Sequence, residues 1–214
     1  MRTLIYVPII HNYADMGIAK KLALDPDGER YEFEKAIDRL WNMIGRDIAG
    51  MNLDFRKIMI YQDSWCETSD HKSLITNASR GSRNYQLILR YLRRGATLID
   101  TEKFSLVFDS FFVRTARRYA IEPELFFQMR MFIHAVILRI LLDTGSFSTK
   151  KDLDRRDAYV AKRIQDTLGE GQTGILFMGA DHGVDRFITA GDIRVVFLQR
   201  VVVEIFRIRK EFYF

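Results

Sequence analysis

Four residues that can bind metal ions or transfer protons each follow a short apolar run that predicts a β-strand. They are His11, Asp63, Glu102 and His182. Two imidazoles and two carboxylates suit a divalent metal ion, and they equally suit acid–base catalysis. In parallel sheets, the loops after the carboxyl ends of the strands converge on one ligand site. The four residues therefore predict a common site, provided that the strand order brings them together.

Each of the four residues also has a simpler structural interpretation. His11 can cap the segment after the first strand, and Asp63 can cap a turn or a helix, with Gln62 as a rival functional residue. Glu102 precedes a predicted helix, where a carboxylate interacts favourably with the helix dipole. His182 is the strongest candidate, because the preceding Gly-Ala-Asp predicts a tight turn directly after a strand.

Three further reactive residues are weaker candidates. His71 lies in a polar segment that predicts a loop, and His134 lies on the apolar face of a predicted helix, as a histidine of the core would. Cys66 has no local signature of a catalytic nucleophile. None of the three is assigned to the site.

Two segments that contain arginine add candidate substrate contacts. Arg83 comes just before a predicted helix, which suits anion binding at the helix N-terminus as well as a plain helix start. Arg156 follows Arg155 on another predicted helix, so one of the pair is expected to face the site and the other solvent. We assign Arg83 and Arg156 to substrate binding, with Arg156 holding a substrate carboxylate or stabilising developing negative charge.

The elements that must position these residues alternate along the chain. Apolar runs at 3–10, 56–61, 96–100, 174–178 and 192–198 predict strands. Helical patterns cover 31–48, 84–94, 103–119, 123–142 and 151–168. This alternation is typical of a sheet covered by helices. The sequence predicts an α/β fold with a mostly parallel sheet of about five strands, and a helical hairpin inserted around 103–143.

The length of 214 residues suits a single α/β domain over 1–214. The tail at 199–214 mixes apolar and basic residues, which predicts either another strand or a packing arm. Its aromatic residues from Phe206 to Phe214 would cover a neighbouring subunit in a homo-oligomer or fold back on the same domain.

The composition favours a soluble, cytoplasmic protein. A single cysteine and an N-terminus without signal-peptide features indicate a reducing compartment. No apolar run reaches the roughly 20 residues of a membrane helix, so no membrane contact is predicted. The formal net charge is +5, but basic and acidic residues are interspersed, which favours a solvated surface over nucleic-acid binding.

Several well-defined catalytic motifs are absent from the sequence. It has no Walker loop, no dinucleotide-binding glycine fingerprint, no Cys-x-x-Cys pair and no Gly-x-Ser-x-Gly elbow. These absences argue against nucleotide-dependent enzymes and serine hydrolases.

The predicted helix at 151–168 and the predicted strand at 174–178 carry the most specific motif. Arg156-Asp157 begins a helical pattern that leads, through Gly174, to the strand end Gly179-Ala-Asp-His182. This order resembles the closing segment of the TraB/PrgY/GumN family, which belongs with the erythromycin-esterase and ChaN-like proteins. Asp157 stands where that family has asparagine.

Two earlier segments extend the resemblance over most of the chain. Gly95-Ala-Thr-Leu-Ile-Asp-Thr-Glu102 is similar to the family's Leu-Glu segment, and Pro8-Ile-Ile-His11 occupies the place of its first Gly-x-x-His. Pro8 replaces the family's glycine, and Asp63 with its neighbour Gln62 stands where a strand-end glutamate is usual.

The resemblance implies a site more firmly than a reaction. Some relatives are metal-dependent hydrolases, including peptidases, others are esterases that use a histidine base, and ChaN-like members bind haem. Our leading hypothesis is a hydrolase of a small-molecule or peptide substrate, with His11, Glu102 and His182 as catalytic residues. A divalent metal ion would be held by His11, Asp63, Glu102 and His182. The alternatives are a non-catalytic protein that binds haem or a small anion in the same cleft, and a nucleic-acid-binding protein.

Overall fold

The computed structural model describes residues 1–10, 29–67, 69–79, 81–103, 105–106 and 150–212. His11 and His134 lie outside these residues. The predicted helices at 103–119 and 123–142 also lie almost wholly outside them, so the inserted hairpin stays a prediction.

Five parallel strands form one sheet. They are β1 (Arg2–Ile9), β2 (Ile58–Gln62), β3 (Thr97–Ile99), β4 (Thr173–Gly179) and β5 (Ile193–Phe197). Their order across the sheet is β3-β2-β4-β1-β5, and every neighbouring pair is parallel. The predicted α/β fold is confirmed, and each predicted apolar run corresponds to one strand.

Five described α-helices accompany the sheet. They are α1 (Glu29–Gly50), α2 (His71–Ser79), α3 (Arg83–Arg93), α4 (Lys150–Thr167) and α5 (Gln199–Phe212). Within the described part of the chain, no helix is long and apolar enough to cross a membrane.

Two of these helices differ from the sequence prediction. The predicted loop around His71 is wrong, because His71 begins α2, whose first turn is capped by Asp70 accepting a hydrogen bond from the Ser73 N–H at 2.6 Å. The tail forms a helix and not a strand, and this helix buries Val201, Ile205 and Ile208.

The sheet separates two apolar clusters. Along β1, Ile5, Val7 and Ile9 join the cluster made with α1, α3 and α5, while Leu4 and Tyr6 join the cluster made with α4. This alternation follows from the two-residue period of a strand, which points successive side chains to opposite faces. Burial on both faces explains why β1 reads as a continuous apolar run.

The strand order predicts a crevice at the carboxyl edge of the sheet, between β2 and β4. The connection that leaves β2 runs outward to β3, whereas the connection that leaves β4 runs the opposite way, past β1 to β5. Adjacent strands whose connections diverge in this manner leave an open crevice, which is where open α/β sheets bind ligands. The loops after β2 and β4 carry Asp63 and His182.

Candidate functional site

Asp63 joins the ends of β2 and β4 at this crevice. Its backbone N–H donates to the carbonyl oxygen of Phe177 at 2.9 Å, and its Oδ2 accepts from the N–H of Gly179 at 3.0 Å. The side chain is therefore held at the crevice by the backbone of the neighbouring strand. The residue is 5% exposed.

Arg156 of α4 brings Asp63 and Glu102 together. Its Nε donates to Glu102 Oε2 at 2.9 Å, and its Nη2 donates to Glu102 Oε1 at 2.7 Å and to Asp63 Oδ1 at 3.1 Å. The contact with Glu102 has the two-pronged geometry that only arginine offers a carboxylate. These donors of the guanidinium are all bonded to the two carboxylates, and the side chain is only 13% exposed. The predicted contact between Arg156 and a substrate therefore stays a prediction.

The second carboxylate, Glu102, is buried directly after β3. Its Oε1 also accepts from the N–H of Ser64, and its own N–H donates to the carbonyl oxygen of Trp65. Burial raises the pKa of Glu102, the negative charge of Asp63 raises it further, and Arg156 opposes both effects. Burial lowers the pKa of Arg156, but the charges of Glu102 and Asp63 outweigh that effect and raise it overall. One guanidinium thus serves two buried carboxylates.

His182 and Asp157 form a second pair beside the first group. Nδ1 of His182 lies 2.5 Å from Oδ1 of Asp157, while Oδ2 of Asp157 accepts from the N–H of Gly183 at 2.7 Å. The side chain of Asp157 is fully buried and that of His182 is 7% exposed. No hydrogen bond to Nε2 of His182 is made by the residues that the structure describes. The contact between the carboxylate and Nδ1 fixes the orientation of the imidazole ring, the same geometry as the contact between aspartate and histidine in a catalytic triad.

Asp157 is the site residue that the sequence prediction missed. In the sequence it appears only as an exchange for asparagine within the TraB-like motif, and a mid-helix aspartate by itself gives no functional signal. The structure shows that Arg156 and Asp157, adjacent on α4, serve the two carboxylates and His182 respectively. Arg155 is exposed, as the prediction of one inward and one outward arginine requires.

A small cavity borders the Asp157–His182 pair. It has a volume of 240 Å³, and its lining includes Tyr6, His182, Phe197 and Arg209. The Tyr6 hydroxyl donates to the carbonyl oxygen of His182 at 3.0 Å. Burial and the nearby charge of Asp157 raise the pKa of Tyr6, so the hydroxyl stays protonated and keeps this hydrogen bond.

The described residues do not fit the predicted metal site. Both carboxylates, Asp63 and Glu102, bind Arg156, and Nδ1 of His182 contacts a third carboxylate. Across the described ranges, no group of three or more histidine, cysteine or acidic side chains could hold a metal ion. The fourth predicted ligand, His11, lies outside those ranges.

Haem binding stays a prediction. Among the described residues, the cavity beside His182 has a volume of 240 Å³, below the roughly 300–1,000 Å³ of pockets that hold drug-sized ligands.

Arg83 lies elsewhere in the fold. Its Nε donates to Oδ1 of Asp38 in α1 at 2.9 Å, and its side chain lines a separate groove of 810 Å³. The structure does not bring Arg83 into contact with Arg156 or His182. Its predicted role in binding the same substrate therefore receives no geometric support.

No protein-family model matches this chain, and no curated protein or solved structure matches it either. The resemblance to the TraB/PrgY/GumN family accordingly stays a prediction. The geometry of the crevice is what any functional assignment has to rest on.

Proposed function

We propose that this protein is a hydrolase in which His182, held by Asp157, acts as a general base on water. The observation that carries the proposal is the 2.5 Å contact between Asp157 Oδ1 and His182 Nδ1, made in the loop after β4 and beside a cavity lined by residues of β1, β5 and α5. With Nδ1 donating to the carboxylate, Nε2 is the basic nitrogen. This arrangement sets both the tautomer and the orientation of the ring.

The proposed reaction adds one water molecule across a bond of the substrate. Nε2 of His182 takes a proton from water as the oxygen attacks a carbonyl or phosphoryl centre. The bond to the leaving group then breaks, and the imidazolium returns its proton to that group. Asp157 stabilises the imidazolium between the two proton transfers.

The neighbouring ion group has a positioning role in this proposal. Arg156 and the two carboxylates connect the ends of β2 and β4 to the loop after β3. Since Asp157 follows Arg156 on the same helix, this anchoring also sets the place of Asp157. The small cavity volume indicates that a compact substrate, or one end of a larger one, enters beside His182.

A panel of ester, amide and phosphoester substrates tests the proposal. We expect hydrolysis of at least one class, and we expect His182→Ala to reduce its rate by about 10²–10⁴-fold, the usual contribution of general acid–base catalysis. His71→Ala is the matched control, because His71 is exposed at the start of α2, and it should keep the full rate.

Two results would contradict the proposal. One is the absence of hydrolysis across the whole panel, and the other is a His182→Ala variant that is as active as the His71→Ala control. Metal content is measured on the same samples. Activity that depends on a bound metal ion would replace the general-base mechanism by the metal-dependent one.

A further inference from the structure

A long groove on the opposite face of the sheet from α4 is rich in arginine. It lies between α1, α3 and α5 and has a volume of 810 Å³. Within the described part of the chain, its charged lining consists of five arginines and a single acidic residue: Arg39, Arg46, Arg83, Arg90, Arg207 and Glu204. Five arginines that lie far apart in the sequence therefore line one groove.

The arginines of α1 and α3 are spaced in matching pairs. Arg39 and Arg46 are seven residues apart on α1, and Arg83 and Arg90 are seven residues apart on α3. Seven residues are close to two helical turns, so each pair lies on one helix face and spans about 10 Å along the axis. Two such pairs on facing helices provide guanidinium groups along both walls of the groove.

Three of the five arginines differ from the other two in their ion pairs, although the charge of Arg39 helps to lower the pKa of Glu204 after the contact with Arg207. Arg83 pairs with Asp38, and Arg207 pairs with Glu204 and Glu211. For Arg39, Arg46 and Arg90, no ion pair is formed with any residue that the structure describes, and all three are exposed.

The lining also indicates which chemical group of a ligand the groove can recognise. Phosphate groups suit guanidinium groups because each arginine can donate two parallel hydrogen bonds to them. Among the described residues of the lining, the one aromatic side chain is Trp41, which is 4% exposed and packs on Phe177. Bases would find no exposed aromatic ring for stacking here, so the phosphates themselves are the feature that the groove can recognise.

We propose that this groove binds a ligand with several phosphates in series and holds it through those phosphates alone. The site is distinct from the cavity beside His182 and does not depend on hydrolase activity. The ligand is either a compact polyphosphate or the backbone of a single-stranded nucleic acid, which share this chemistry.

Calorimetric titration of the whole chain at low ionic strength tests the proposal with three probes. They are inorganic tripolyphosphate, a short oligothymidylate and a polyglutamate peptide. We expect saturable binding of tripolyphosphate, oligothymidylate or both, with affinity that falls as salt is added. Tripolyphosphate alone identifies a compact ligand, whereas comparable binding of oligothymidylate identifies a nucleic-acid backbone.

Paired variants locate the binding in the groove. Arg46→Ala combined with Arg90→Ala should weaken binding by about tenfold, whereas lysine at both positions should retain part of the affinity. Arg93→Ala is the matched control, because Arg93 is exposed on α3 but does not line the groove. Circular dichroism of each variant confirms that it is folded.

Three outcomes would overturn the proposal. They are the absence of saturable binding by both phosphate probes, an equal loss of affinity in Arg93→Ala, and polyglutamate binding as tight as that of the phosphate probes. The last outcome would show that the groove selects negative charge and not phosphate.

Discussion

The ion group of Arg156, Asp63 and Glu102 places one positive charge between two negative ones in a nearly dry environment. Each carboxylate is at most 5% exposed, and the guanidinium is 13% exposed. Removing charges from water is costly, so such a group persists only when its hydrogen bonds are well made. The consequence is that loss of the shared cation should be much more harmful than loss of an ordinary surface arginine.

Arg156→Ala is expected to lower the free energy of unfolding by about 3–5 kcal/mol, because it leaves two buried carboxylates without their counter-ion. Chemical denaturation at neutral pH measures the change. Arg155→Ala removes an exposed arginine from the neighbouring position of α4, and it should alter the unfolding free energy by less than about 0.5 kcal/mol. Equal stability of the two variants would show that the buried carboxylates do not need Arg156.

Glu102 gives the protein a predictable dependence of stability on pH. Its folded-state pKa lies above its ordinary value of 4.5, because of burial and the nearby Asp63. The folded state therefore binds this proton more tightly than the unfolded state. The resulting stabilisation is complete below the ordinary pKa and is lost as pH rises through the folded-state pKa.

In Glu102→Gln the side chain no longer titrates, so its contribution to the pH dependence of the unfolding free energy is lost. From about pH 4.5 upward, the unfolding free energy of the unaltered protein should fall relative to that of Glu102→Gln. Urea denaturation of both proteins at a series of pH values measures this difference. A difference that is independent of pH, or that grows in favour of the unaltered protein, would mean that the Arg156 contact dominates the pKa of Glu102.

The position of the site depends on how closely strand β4 packs against its neighbours β1 and β2. Gly174 is near the start of β4, where its backbone approaches the side chains of β1 and β2. A Cβ at this position would lie 2.8 Å from Leu4 Cδ1 and 3.1 Å from Tyr61 Cε2. Tyr61 is fully buried and its hydroxyl contacts Thr167 at 2.9 Å, so these neighbours have little room to move.

Gly174→Ala is therefore expected to destabilise the fold by about 1–3 kcal/mol, the typical effect of overpacking a core. Gly191→Ala is a suitable control, since a Cβ at Gly191 meets nothing within 4 Å. Thermal unfolding of the two variants provides the comparison. If Gly174→Ala is as stable as the control, the close packing of β4 is not a constraint on the site.

Helix α4 connects the packed core to the residues of the site. Val160, Ala161 and Ile164 anchor the helix in the cluster beneath β4. One turn earlier, Arg156 and Asp157 contact the groups at the ends of the strands. Because the anchor and the site residues share one rigid element, the position of Asp157 is set by the core.

For the whole molecule, the sequence predicted the fold far better than the site. The central strands β2, β4 and β1 were predictable because both of their faces are covered, which makes each of them a largely continuous apolar run. Helix α2 was not, because only Leu74 and Ala78 are buried in it and its other residues are polar, apart from the exposed Ile75. A short helix of this kind has too few apolar residues to show a period.

The site was only partly predictable for a different reason. Asp63 and Glu102 were found because a residue after a strand is restricted to one edge of the sheet. The Asp157–His182 contact joins a helix to a loop 25 positions away, and no periodic pattern encodes such a pair. The grouping of arginines in the α1–α3–α5 groove was hidden for the same reason.

The C-terminal helix α5 belongs to the core of the domain, and its stability contribution can be measured. Ile208 is fully buried, so Ile208→Ala should lower the unfolding free energy by about 2–5 kcal/mol. Val203 on the same helix is 67% exposed, and Val203→Ala should change it by less than about 0.5 kcal/mol. Denaturant unfolding that gives equal values for both would mean that α5 does not pack as described.

The rate of hydrolysis by Asp157→Asn shows whether Asp157 orients His182 as a general base. The neutral amide cannot stabilise the imidazolium, so we expect kcat to fall by about 10²–10⁴-fold with little change in KM. Asp166→Asn, at an exposed position of the same helix where Asp166 pairs only with Lys162 among the ion pairs of the described residues, should retain the rate of the unaltered protein. A folded Asp157→Asn variant that also retains this rate would contradict the account.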